Sequence, residues 1–186
     1  MTGRQTLPRK ILGMLMLLLP YCNTSPVLSA VTENVTEYDL KAVFIYNFLQ
    51  FVEWPSFAFD SAQAPFVIGV YGNNPFGNAL ENVASGEVVR NRQIRVKYLT
   101  QPEQISQCHI LYVKEETDYE KILPETKGKP ILSVGETYRF LSEGGVIQFY
   151  IREDKVRGRI NLRSARDGQL KIGSQLLRVF DVINKD

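Results

Sequence analysis

The sequence predicts an α/β fold: a single domain with a mixed, mainly parallel sheet flanked by helices and an antiparallel hairpin at one edge. Three observations carry this. Short apolar runs bounded by turn residues alternate with short helical segments through the middle of the chain, the order that builds a parallel sheet covered on both faces. The last third changes character, with two apolar runs joined by a charged turn of hairpin length. The chain has 186 residues, 44% hydrophobic and 23% charged, which suits one core but not comfortably two domains and excludes disorder, collagen and coiled coil.

The amino terminus reads as an address. Arg9 and Lys10 precede the apolar run Ile11 to Leu19, followed by Pro20 and the small-residue stretch Pro26 to Ala30. That is the layout of a secretory signal, so residues 1–30 are expected to be removed after Ala30, leaving an exported domain over 31–186. The run is less than half of the ~20 apolar residues a membrane span needs. Cys22 is a poor lipid-attachment cysteine because bulky Tyr21 precedes it. The triplet Asn34-Val35-Thr36 fits a glycosylation acceptor but is too short a match to carry weight. The first 30 residues hold three basic residues and no acid, so the remainder carries 19 basic residues against 20 acidic ones. Such a body has no basic excess to neutralise a phosphate backbone, which argues against nucleic acid as a partner.

Thr36 and Asp39 have capping-box spacing, and Leu40, Val43, Phe44, Phe48, Phe51 and Val52 follow at helical intervals until Pro55 stops the helix after Trp54. Ile45 and Leu49 widen the apolar arc, so the helix is expected to be covered on two sides. Burial between a sheet and a neighbouring segment is preferred over a surface completed by another chain, because exposed apolar patches of that size are uncommon on monomers. After a linker from Ser61 to Pro65, Phe66 to Tyr71 reads as a buried strand and Pro75 to about Val83 as a helix. Strands are expected at Gln93 to Tyr98, His109 to Val113 and Pro130 to Val134, with a Pro102-led turn and a short helix at Tyr119 to Leu123 between them. Val146 to Ile151 and Val156 to Leu162 form the hairpin around Arg152 to Lys155. A final helix near Ser174 to Val182 follows Gly168, with Leu176, Leu177, Phe180 and Ile183 on one face.

The available chemistry is sparse. With one histidine, most hydrolytic machinery is excluded, and zinc, which wants about four nitrogen or sulfur ligands, finds one of each after Ala30. No metal or cofactor is expected. Cys108 and His109 are adjacent, yet consecutive strand residues face opposite ways, so the preferred reading is a small core cysteine beside an edge or cap histidine. As a lone cysteine in an exported domain, Cys108 has no internal disulfide partner. Gly72 to Gly77 has the glycine spacing of a phosphate loop, but Asn78 and Ala79 stand where lysine and a hydroxyl belong; a tight turn is preferred to an anion cradle. Glu115-Glu116 and Glu153-Asp154 sit in loops without the apolar setting that lifts a carboxyl pKa. The sequence does not look like an enzyme.

Four blocks together resemble the YfiR family of periplasmic proteins: Tyr38 to Phe48 running on to Val52-Glu53-Trp54-Pro55; Gly69 to Gly77; Cys108 to Val113; and Ile131 to Glu136 leading to Gly144-Gly145. Arg159 to Leu162, Leu170 to Ile172 and Leu176 to Arg178 close the domain in the same order. The resemblance implies a non-enzymatic repressor that binds the periplasmic sensor region of an inner-membrane diguanylate cyclase (YfiN-like) and so limits cyclic-di-GMP and biofilm formation. It also implies an outer-membrane lipoprotein that sequesters the repressor, and it allows a homodimer. Redox-responsive members place a cysteine on the strand before the Gly72 loop, opposite the one matching Cys108, and a second cysteine pair near the terminal hairpin; here the counterpart of the first is Gly69 and the second pair is missing, which puts disulfide control in doubt.

Phe51 and Trp54 are the partner-binding candidates, as aromatic residues near an element's end often anchor interfaces, although core packing is the preferred reading of each taken alone. The alternative function is a small-ligand sensing or carrier domain that uses the loops at the carboxyl ends of the parallel strands, where open α/β sheets bind ligands. Its ligand-binding candidates are Asn73, Asn74, Glu136, Arg159 and Asn161.

Overall fold

A computed structural model describes residues 35–114 and 119–183. The expected signal, Cys22, Asn34 and the Glu115-Glu116 pair lie outside the described residues. The described chain forms one α/β unit in which a long amino-terminal helix, α1 (Glu37–Phe51), lies against a twisted eight-stranded sheet.

The sheet strands are β2 (Phe66–Tyr71), β3 (Val88–Val89), β4 (Arg92–Leu99), β5 (Ile110–Val113), β6 (Leu132–Gly135), β7 (Ile147–Arg152), β8 (Lys155–Asn161) and β10 (Asp181–Ile183), in spatial order β10-β8-β7-β6-β5-β2-β4-β3. From β7 to β4 all neighbours are parallel. The β7–β8 hairpin is antiparallel and lies at one end of the sheet, with β10 adding one parallel strand outside it. Its turn places Glu153 and Asp154 at φ 53° and 55°, the left-handed pair that a two-residue hairpin loop of matching twist requires. Arg90 and Asn91 repeat that geometry in the β3–β4 hairpin. A separate two-stranded sheet pairs β1 (Val52–Glu53) with β9 (Lys171–Ile172). The remaining helices are α2 (Ala79–Ala84), α3 (Tyr119–Thr126), α4 (Tyr138–Ser142), α5 (Leu162–Asp167) and α6 (Ser174–Val179).

The pleat sends alternate side chains into two apolar layers. Phe66, Ile68 and Val70 of β2 join α1, α2 and α6 on one face. Val67 joins Leu99, Leu111, Ile122 and Phe140 on the other. Under α1, Phe48, Phe149 and Phe180 pack with ring centroids 5.7–6.3 Å apart.

Several expectations are corrected. The capping box of α1 forms, but the helix ends at Phe51, not at Trp54, because Val52 and Glu53 leave it to pair with β9. The helix is not covered on two sides: Leu40 and Val43 are 43% and 44% exposed. Helix α2 starts at Ala79, not Pro75, since Asn74 and Gly77 hold the preceding residues in a turn. The final helix stops at Val179, and Ile183 belongs to β10.

Candidate functional site

A buried polar cluster lies at the carboxyl ends of the parallel strands. Glu136 directly follows β6, and one of its carboxylate oxygens, Oε1, accepts from both Lys41 Nζ of α1 and the Tyr112 hydroxyl of β5. Lys41 is only 2% exposed, and Glu37, one turn earlier, is its second carboxylate partner. Burial alone would lower the lysine pKa; the hydrogen bonds and charges of Glu136 and Glu37 outweigh it and hold the pKa above the ordinary value. Burial first, and then Glu136, raise the Tyr112 phenol far above its usual range. The Tyr38 ring lies 4.5 Å from Lys41 Nζ, and Phe76 of the loop after β2 packs at 4.7 Å on Tyr112 and 5.5 Å on Tyr38. On the far side, Gln148 Nε2 donates to the Glu136 carbonyl at 3.3 Å and its Oε1 accepts from Arg159 at 3.1 Å. The Arg159 guanidinium lies 4.0 Å from the Tyr150 ring.

The ligand candidates therefore separate. Glu136 and Arg159 belong to one hydrogen-bonded chain through Gln148. Asn73 and Asn74 lie at the same end of the sheet, in the crevice side of β2 where the strand order reverses. Asn74 is occupied by its own loop: its Oδ1 accepts from Phe76 N at 2.9 Å and its Nδ2 donates to the Gly77 carbonyl at 2.8 Å. Asn161 lies at the opposite end, where it caps α5 and donates to the Leu141 carbonyl at 3.2 Å. There it lines a groove of about 710 Å³ together with Leu123, Lys127, Ser133 and Arg163.

Of the partner candidates, Trp54 is 9% exposed, packs on Phe66 and donates its indole N–H to the His109 carbonyl at 3.3 Å. That makes it a core residue in the free protein. Phe51 is half-buried, and its carbonyl accepts from Gly173 N at 2.8 Å, tying the end of α1 to the start of α6. The open part of α1 is instead the outward stripe of Leu40, Val43, half-buried Asn47 and Gln50.

Cys108 and His109 do face opposite layers. Cys108 packs among Val67, Leu99 and Leu111, and burial pushes its thiol up to about 11. His109 is buried, not an edge or cap group: its Nδ1 accepts from Val67 N and its Nε2 donates to the Ala58 carbonyl, each at 3.0 Å, while Phe59 stacks on the ring. Among the described residues, no group of His, Cys, Asp and Glu side chains could hold a metal ion.

Lys41, Tyr112 and Gln148 escaped sequence reasoning as site residues. Lys41 had a signal, since it precedes Ile45 by four and Phe48 by seven residues and thus sits in the middle of the buried arc. A lysine there must carry its counter-charge inside.

A family model described as YfiR/HmsC-like matches residues 38–179. The chain belongs to the YfiR/HmsC-like family. The matched span runs from the first turn of α1 to the end of α6, so it takes in the Lys41–Glu136–Tyr112 cluster, the Gly72 loop and the hairpin. This family is a regulatory one. No curated protein matches the chain. Among solved structures, the chain is similar to the ABC domain in complex with L-Trp from Streptococcus pneumonia, at 12% identity and a TM-score of 0.42, over 63% of this chain and 55% of that one. The YfiR/HmsC-like chain thus spans about half the length of that protein. Among the described residues, no helix is long and apolar enough to cross a membrane.

Proposed function

We propose that this protein is a non-enzymatic periplasmic regulator that binds the periplasmic sensor region of an inner-membrane diguanylate cyclase and represses cyclic-di-GMP synthesis. The observation that carries the reading is membership of the YfiR/HmsC-like family across residues 38–179. The signal-like amino terminus supports export to the compartment where such a sensor region is reached. A repressor of this kind must bind the inactive state of its target better than the active one, or it shifts nothing. The outward stripe of α1 supports a contact of that kind, as Leu40 and Val43 present apolar surface on a helix whose other side is fixed by the core and by Lys41. Phe51, at the carboxyl end of α1, is a further contact beside that stripe, whereas Trp54 is packed on Phe66 in the core. An outer-membrane lipoprotein that sequesters the repressor and a homodimeric form complete the reading.

Deleting the gene is expected to raise cellular cyclic-di-GMP, and the tagged protein is expected to retain a diguanylate cyclase from detergent-solubilised membranes. An unchanged cyclic-di-GMP level on deletion overturns the reading.

One observation favours small-ligand sensing as a second reading, the groove beside Asn161 with its mixture of apolar and polar walls. A metabolite that fills it at 100 times its dissociation constant adds about 2.7 kcal/mol to stability, which a thermal shift detects.

A further inference from the structure

Strand β4 carries an open edge. It pairs with β2 over six residues, Ile94 to Leu99, but with β3 only at Arg92 and Gln93. The Gly72 N–H donates to the Leu99 carbonyl at 3.0 Å, which shows that Leu99 turns its backbone groups toward β2. In a parallel ladder this sense alternates, so Lys97 and Arg95 also face β2, while Ile94, Val96 and Tyr98 point their N–H and C=O groups outward. Among the described residues, no hydrogen bond is made to these outward backbone groups. An uncovered edge of this length is a template for a further strand.

The charge of the strip selects the occupant. From Val88 to Pro102 the sequence holds Arg90, Arg92, Arg95 and Lys97 and no acid. Arg90 and Arg92 are spent on backbone carbonyls and Lys97 on the neutral Gln107, so none of these three has a carboxylate partner among the described residues, and exposed Arg95 has none either. A second copy of this chain is a poor occupant: antiparallel self-pairing about Val96 would set Arg95 against Lys97 of the other copy, and like charges directly opposite destabilise a strand pair. The charges that guard the edge against self-pairing make an acidic strand its complement. We infer that the outer edge of β4 is a docking site for an extended acidic segment of a partner protein, which adds as a ninth strand beside Ile94, Val96 and Tyr98.

The test is amide hydrogen exchange on the full-length chain, purified as the cell processes it, titrated with a short peptide alternating Val and Glu and with its Lys-for-Glu counterpart. At saturation the acidic peptide is expected to slow exchange at Ile94, Val96 and Tyr98 by about tenfold or more, as new strand hydrogen bonds form. Arg95→Glu with Lys97→Glu is expected to weaken binding about tenfold, and added salt to weaken it likewise. Val96→Pro removes only an outward N–H, which an edge strand tolerates, and is expected to abolish the protection with the melting temperature kept. If that variant unfolds, the charge-reversed variant still decides. The inference is overturned if neither peptide protects these amides, if the Lys peptide protects them equally, if they are already protected without peptide, or if protection without peptide grows with protein concentration.

Discussion

A Cβ placed on Gly69 would lie 2.5 Å from Cys108 Sγ and 3.5 Å from Cys108 Cβ. The first distance is a collision, so Gly69→Ala is expected to destabilise the fold by about 1–3 kcal/mol in urea unfolding, the usual cost of overpacking a filled site. The second is the lower end of the Cβ–Cβ range of a disulfide. Gly69→Cys is therefore expected to close an internal disulfide with Cys108 when the protein is exported to an oxidising compartment, read as a loss of two hydrogens in intact mass. The position opposite Cys108 would thus accept the missing side chain, while the second cysteine pair of redox-responsive members has no counterpart in this sequence. His109 gives a pH prediction on the same scale. Burial, the largest influence, holds its pKa below 6.5, and protonation of Nδ1 would cost the bond from Val67 N. Below about pH 6.5 the unfolded chain takes up a proton that the folded chain refuses, so the stability contributed by neutral His109 is complete above that pH and is lost as pH falls toward the folded value. Urea midpoints measured from pH 7 downward are expected to decline, and His109→Gln is expected to flatten that decline.

At the level of elements, what was legible followed from pattern strength. Strand β2 is legible with its observed bounds because five apolar residues and Gly69 sit between a proline and a glycine. Strands β1, β9 and β10 have two or three residues, too few to show a period of two, and exist only because a distant partner meets them. The same pairing drew Val52 and Glu53 out of the helical pattern. In α1 the apolar residues are more numerous than the core can use, so the pattern points Leu40 and Val43 inward while Lys41 takes the buried position. Lys41 joins α1 to β5 and β6 through Glu136, and removing one partner of a buried ion pair leaves the other charge stranded. Lys41→Met is expected to cost about 3–5 kcal/mol in urea unfolding. Adding Glu136→Gln is expected to return part of that loss, and a cycle of single and double variants measures the coupling.

At the level of the whole molecule, the candidate site was legible only in pieces. Glu136 and Arg159 stand out by their places at strand ends, but nothing local shows that Gln148 joins them, because the contact arises where β7 begins beside the end of β6. The division of the surface was equally hidden: Asn161 falls at the opposite end from Asn73 because β8 runs antiparallel to the strands before it. That division assigns different tests to different faces. Under the proposed regulatory reading, the outward stripe of α1 makes the contact and the buried polar cluster only sets the helix in place. Leu40→Glu with Val43→Glu puts two carboxylates on that stripe and removes no core contact, so stability should stay within about 0.5 kcal/mol of the original. Cyclic-di-GMP in cells that carry this variant is expected to rise to the level of the gene deletion, because two charges facing an apolar partner surface cost more than the preference for the inactive state supplies. Ile151→Glu, at the exposed hairpin tip, is the matched control and is expected to leave cyclic-di-GMP unchanged. Equal effects of the two variants would show that added charge, and not the α1 surface, had weakened repression.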